Sequence, residues 1–208
     1  WSSDVCSSDL NDTISAAAST GSSVVVDGGA GNDIITGGQV IDTITGGTGV
    51  DTFIYTDFTY AGATESITDF EVGATGDILS VALASNTATA AATNDIVSNG
   101  ATVVAIDTSD VGTTAFDEAD ILLLTGTGYA DIAAVVTAIA GTSGITVSAD
   151  DSILAVYYNT TDSASYVINL ADEDGTATDL EYSDILVKLD NIDLAGIANF
   201  TADNFTLA

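Results

Sequence analysis

Three aspartates, Asp33, Asp42 and Asp51, stand nine residues apart, and each closes a six-residue stretch that opens with Gly-Gly. Glycine-rich turns can bend to present backbone carbonyls, so carboxylates at their ends sit among further oxygen donors. Such a donor set suits a hard cation. Catalytic chemistry is poorly provided for. The chain contains no His, so neither a serine-hydrolase triad nor a His-ligated zinc centre can be assembled. Lys188 lies in a strand-like alternating pattern, which reads as a solvent-facing or salt-bridged lysine rather than a Schiff-base former. Neighbouring acids at Asp150–Asp151 and Asp172–Glu173–Asp174 could serve glycoside hydrolysis, but among 31 acidic residues such neighbours arise by chance. The chain is read as a non-enzyme.

Residues 28–36, 37–45 and 46–54 align to the pattern G-G-x-G-x-D-x-U-x, where U is the large apolar Ile35, Ile44 or Phe53. This pattern resembles the RTX, or haemolysin-type, calcium-binding nonapeptide repeat. The resemblance is tight over residues 27–54 and loose over 11–79. Six residues form a turn and three a short strand whose central side chain faces the core. Two units make one coil of a flattened parallel roll, so same-edge turns recur every 18 residues and stack at about 4.8 Å, the strand spacing. Asp33 and Asp51 are 18 residues apart and are expected to stack, with Gly29, Gly31, Gly47 and Gly49 supplying carbonyls, around Ca²⁺. Asp42 is at best a partial ligand. Val40 and Ile41 spoil its turn, and Val24 and Tyr60 occupy the same-edge Asp positions. Upstream, "NDTIS" with Asp12 and Ile14 is a degenerate, out-of-phase copy.

"ESITDFEVGATGDILSV" is similar to the segment that closes rolls of this family. That resemblance makes Asp69 and Asp77 weaker calcium candidates; the alternative is that they are solvated turn residues around a Phe70 anchor. The extra residues 73–76 depart from the family spacing. Residues 84–98 read as a linker or loose helix, and 102–107 and 120–124 are apolar stretches. A helix is expected over about 129–140, with Asp131 in its first turn and Gly141 as its stop. A hairpin is expected from 153–158 and 164–170, and "SDILVKLD" reads as another strand. The predicted fold is therefore mainly β: a short parallel β-roll over 11–83, then a β-rich C-terminal domain over 84–208 with one main helix. "IANFTADNFTLA" resembles an uncleaved type I secretion signal, through Asp203, Phe205 and Leu207. "DILVKL" followed by "NIDLAGIANF" is similar to the C-terminal domains of bacterial surface proteins of the bluetail type.

The net charge is −30, with Lys188 the single basic residue. That balance excludes nucleic acid and anionic membranes as partners. No apolar run approaches the ~18 residues needed to span a bilayer. Trp1 to Leu10 resemble a translated sequencing-library adapter and are set aside, taking with them the single Cys6 and single Trp1; the chain is expected to continue upstream. The expected function is a calcium-binding C-terminal module of a secreted or surface bacterial protein. The family resemblance implies export by type I machinery and folding on calcium outside the cell. Alternatives are the folding tail of an RTX protease or lipase, or a calcium-bridged adhesin or surface-layer subunit that self-assembles.

Overall fold

The computed structural model describes residues 4–6, 9–16, 23–37, 42–55, 65–81, 103–107, 121–140, 152–171 and 181–207. Its first half alternates very short strands between two sheets. β2 (Thr13–Ser15), β4 (Ile34–Thr36), β6 (Thr52–Tyr55) and β8 (Ile78–Val81) pair in parallel in one sheet. β1 (Asp4–Cys6), β3 (Val25–Asp27), β5 (Thr43–Thr45) and β7 (Glu65–Ile67) pair in parallel in the other. β1 falls in the segment set aside above. Ile34 lies opposite Thr52 and Val25 opposite Thr43, so one coil takes 18 residues.

Strands this short present one or two side chains inward, because successive residues alternate faces. Ile14, Val26, Ile35, Ile44, Phe53, Ile67 and Leu79 are each buried. The registers align them into two facing files, Ile14–Ile35–Phe53–Leu79 and Val26–Ile44–Ile67. The flat roll is held together by this narrow apolar seam, and its outer faces carry Thr, Val25 and Ile34.

β9 (Val103–Asp107), β10 (Ile121–Thr125), β11 (Ser152–Asn159), β12 (Ala164–Ala171) and β13 (Glu181–Leu189) extend the second sheet. Its order is β1-β3-β5-β7-β13-β12-β11-β10-β9, nine strands in all among the described residues. β13 joins β7 in parallel with Leu189 opposite Ile67, so the apolar file of the roll runs on into the C-terminal half. β11 and β12 form the expected hairpin across Thr160–Ser163, where Asn159 Oδ1 accepts from the N–H groups of Thr161 and Asp162. α1 (Ile132–Ala140) is the crossover between parallel β10 and β11, packing Val135 and Ile139 on Leu122, Leu124 and Tyr157. It begins later than its periodicity suggests. Tyr129 bridges to Asn159, and Asp131 precedes the helix, its Oδ1 accepting from Ala134 N at 2.8 Å. Gly141 and residues 84–98 lie outside the described residues.

After β13 the chain makes α2 (Leu194–Ile197), capped by Asp193, and a 3₁₀ turn (Ala202–Asn204). It ends in β14 (Phe205–Leu207), which pairs in parallel with β8 and completes a β14-β8-β6-β4-β2 sheet. Phe53, Phe70, Phe200 and Phe205 form a file with successive ring centroids 6.0, 5.7 and 5.5 Å apart, closing the end of the seam. No helix among the described residues is long and apolar enough to cross a membrane. Phe53 is fully buried where this file meets the apolar seam of the roll, opposite Ile35 and Leu79. Phe53→Ala is expected to lower unfolding free energy by about 3–5 kcal/mol, read from urea denaturation in excess calcium.

Candidate metal centre

The turns that lead from one sheet to the other stack along one edge: residues 9–12, 28–33, 46–51 and 68–77 precede β2, β4, β6 and β8. Each ends in an aspartate, and the four are linked as a ladder. Asp12 N donates to Asp33 Oδ1 at 2.9 Å, Asp33 N to Asp51 Oδ1 at 2.8 Å, and Asp51 N to Asp77 Oδ1 at 2.9 Å. An asparagine step runs beside it, with Asn32 N donating to Asn11 Oδ1 and Val50 N to Asn32 Oδ1. Backbone bonds from Thr48 N to Gly29 O and from Gly31 N to Thr48 O lock the middle turns together.

That ladder uses one oxygen of Asp33 and of Asp51. The other, Oδ2 in each case, is buried with no hydrogen-bond partner, although both residues are 1% exposed. Leaving a buried charged oxygen unmatched costs several kcal/mol in order of magnitude. The orphaned oxygens lie against the glycines that open their own turns. Asp33 Oδ2 and Gly46 O each lie 2.4 Å from the position a Cβ on Gly28 would take, and Asp51 Oδ2 lies 2.4 Å from that position on Gly46. The close approach of the turns also depends on glycine. With φ of +102° at Gly47 and +137° at Gly49, a Cβ there would stand 1.9 Å from Gly29 O and Gly31 O respectively. Among the described residues no three acidic, His or Cys side chains converge on one point. The unpartnered donors are single carboxylate oxygens, with the Gly46 carbonyl near that of Asp33, an all-oxygen set that fits Ca²⁺ better than zinc.

The structure thus brings together Asp33, Asp51, Gly29, Gly31, Gly47 and Gly49. Asp69 and Asp77 adjoin them, but with both oxygens committed to backbone donors. Asp69 accepts from Gly46 N and Gly47 N at 2.9 and 2.8 Å, and Asp77 accepts from Asp51 N and Glu71 N. These two carboxylates tie the closing segment to the last glycine turn. Neither is a solvated turn residue: Asp77 is buried and Asp69 is half-buried. Asp42 lies on the opposite edge. It is fully buried there, its Oδ1 accepting from Val24 N at 2.9 Å. Beside it are Glu65 and Tyr55; burial, and then the Glu65 charge, push the Tyr55 hydroxyl well above its usual range. Tyr60 and residues 38–41 lie outside the described residues, as do the acid pairs at 150–151 and 172–174. Lys188 forms an ion pair with Asp190 at 2.7 Å. Asp12, Asn11 and Glu65 were not singled out as site residues. Asp12 stands 21 residues before Asp33, not 18, and Glu65 carries no repeat signature; its place is set by pairing of β7 with β5.

Burial is the largest cause raising Asp51, followed in the same direction by the charges of Asp33, Asp69 and Glu71, against the lowering effect of the Asp33 N–H bond. Burial likewise pushes Asp77 up to about 6, despite bonds from the Asp51 and Glu71 N–H groups. No protein-family model matches the chain, and no curated protein matches it. Among solved structures, the solution structure of the AlgE6R3 subunit from the Azotobacter vinelandii mannuronan C5-epimerase is similar at 19% identity, covering 97% of this chain and 81% of that chain, with a TM-score of 0.37. A likeness at that level assigns no activity and no residue role.

A carboxyl whose pKa is raised on folding holds its proton more tightly in the folded state. Its stabilisation is complete below the unfolded value near 3.9 and is lost as pH rises through the folded value, about 6 for Asp77. In metal-free buffer the urea midpoint is therefore expected to rise as pH is lowered from 7.5 to 5. A midpoint that stays flat or falls over that range would contradict the burial of these acids.

Proposed function

We propose that this chain is a calcium-binding β-roll module of a secreted or surface bacterial protein, and that calcium drives the folding of its glycine-turn coils. The observation that carries the reading is the pair of buried, partnerless oxygens, Asp33 Oδ2 and Asp51 Oδ2, in stacked glycine turns, with the Gly46 carbonyl near that of Asp33. Calcium would be held by these carboxylates with carbonyls from the turns of Gly29, Gly31, Gly46, Gly47 and Gly49. It supplies positive charge to a column that has none of its own, since Lys188 is engaged with Asp190. An ion that binds the folded chain alone stabilises it by mass action. Extracellular modules of this kind work at about 10⁻⁴–10⁻³ M calcium. In calcium-poor cytosol, unneutralised acids would keep the roll loose enough for export, and the lack of Cys beyond Cys6 suits a chain threaded unfolded.

Far-UV circular dichroism during a calcium titration tests this. A cooperative gain of β signal is expected between chelator and excess calcium. The double variant Asp33→Asn, Asp51→Asn keeps both Oδ1 acceptors of the ladder and removes both charges. It is expected to lose calcium affinity by at least about tenfold and to show the β signal already in chelator. Identical spectra with and without calcium, or unchanged affinity in the double variant, would overturn the reading.

A further inference from the structure

At the closed end of the roll the aspartate column stops. Counting back two residues from Phe205, as Asp77 is counted back from Leu79 opposite it, reaches Asp203. Asp203 is exposed. The 3₁₀ turn brings its neighbour Asn204 inward instead, and Asn204 is fully buried. Its Nδ2 donates to Asp77 O at 2.8 Å and to Gly73 O at 3.0 Å, with Glu71 O at 3.5 Å. Its Oδ1 accepts from Gly73 N at 2.9 Å and Thr201 N at 3.0 Å. A primary amide has two donor hydrogens and two acceptor lone pairs, so this side chain is fully matched. Carbonyl oxygens of the 71–77 turn gather round its Nδ2, as the Gly46 carbonyl lies beside the orphaned Asp33 oxygen above.

We infer that the Asn204 side-chain amide takes the place of a cation at the last turn, so that the closed end of the roll is held without metal while the turns of Asp33 and Asp51 require it. The inference rests on the calcium reading for its contrast between the two ends. The local physics stands by itself. The Nδ2 group carries partial positive charge and two donors into a ring of carbonyls, and Oδ1 fixes its orientation from the other side. A carboxylate at this position would face the carbonyls of Gly73 and Asp77 with like charge, and only an added cation could reconcile them.

Hydrogen exchange of assigned backbone amides, in metal-free buffer and in excess calcium, separates the two ends. In the unsubstituted protein the Gly73 and Thr201 amides are expected to be protected to within about twofold under both conditions. Asn204→Ala is expected to lose at least about tenfold protection at both amides under both conditions, the order of one buried hydrogen bond. Asn204→Asp is expected to lose it in metal-free buffer and regain it in calcium. The inference is overturned by any of three results: calcium-dependent protection of Gly73 in the unsubstituted protein, unchanged protection in Asn204→Ala, or an Asn204→Asp variant that calcium does not rescue. The Asp33 and Asp51 amides in the same data report on the calcium reading separately, so a failure there is distinguishable from a failure at Asn204.

Discussion

Stacking turns at the spacing of β-strands forces their closing acids into one column, and that constraint governs the rest of this molecule. The parallel registers that bury Ile35 under Phe53 also set Asp33 over Asp51. The apolar seam and the acidic edge are therefore two consequences of one geometry. Each coil gains a buried side chain and a backbone-to-carboxylate bond. The turns that end in Asp33 and Asp51 also gain a second carboxylate oxygen that no protein donor reaches. The apolar files stabilise the roll from inside, while the column of like charge opposes it from the edge, where burial, and then neighbouring acids, hold Asp51 and Asp77 above their usual range.

The two ends of the column answer that problem differently. In the glycine turns carboxylate and carbonyl oxygens approach so closely that no Cβ could stand at Gly28, Gly47 or Gly49. In the closing segment, Asp69 and Asp77 turn both oxygens onto backbone N–H groups, and Asn204 supplies neutral donors. The closing segment is also where the roll meets the C-terminal half. β7 pairs with β13, Asn191 Nδ2 donates to Phe70 O, and the phenylalanine file crosses from Phe70 to Phe200. The matched side chains of Asp69, Asp77 and Asn204 thus lie at the junction, and the partnerless oxygens of Asp33 and Asp51 lie in the coils beyond it.

Much of this was legible because the nonapeptide pattern ties chemistry to a fixed offset. Ile35, Ile44 and Phe53 face inward as their positions indicate, and Asp33 and Asp51 stack as an 18-residue coil requires. Legibility fails where turn length varies. Asp12 and Asp77 belong to the same ladder, but lie 21 and 26 residues from their neighbours. No fixed period finds them, since pairing rather than spacing puts them there. Asn204 is further removed: its partners at Gly73 and Asp77 are 131 and 127 residues away. A C-terminal run of small and hydroxylated residues ending in an apolar tip reads as a tail by composition. Only the parallel pairing of β14 with β8 shows that it is also the last coil. Glu65 illustrates the same limit on the opposite edge, where a single acid in an ordinary strand is buried because of the strand it joins.

The central claim is that the second oxygens of Asp33 and Asp51 exist to hold a cation. A crystal structure determined from calcium-containing solution tests it most directly. The account predicts an ion bound within about 2.3–2.6 Å of Asp33 Oδ2 or Asp51 Oδ2 together with turn carbonyls. Well-ordered turns with those oxygens hydrogen-bonded to water, and no ion between them, would contradict it.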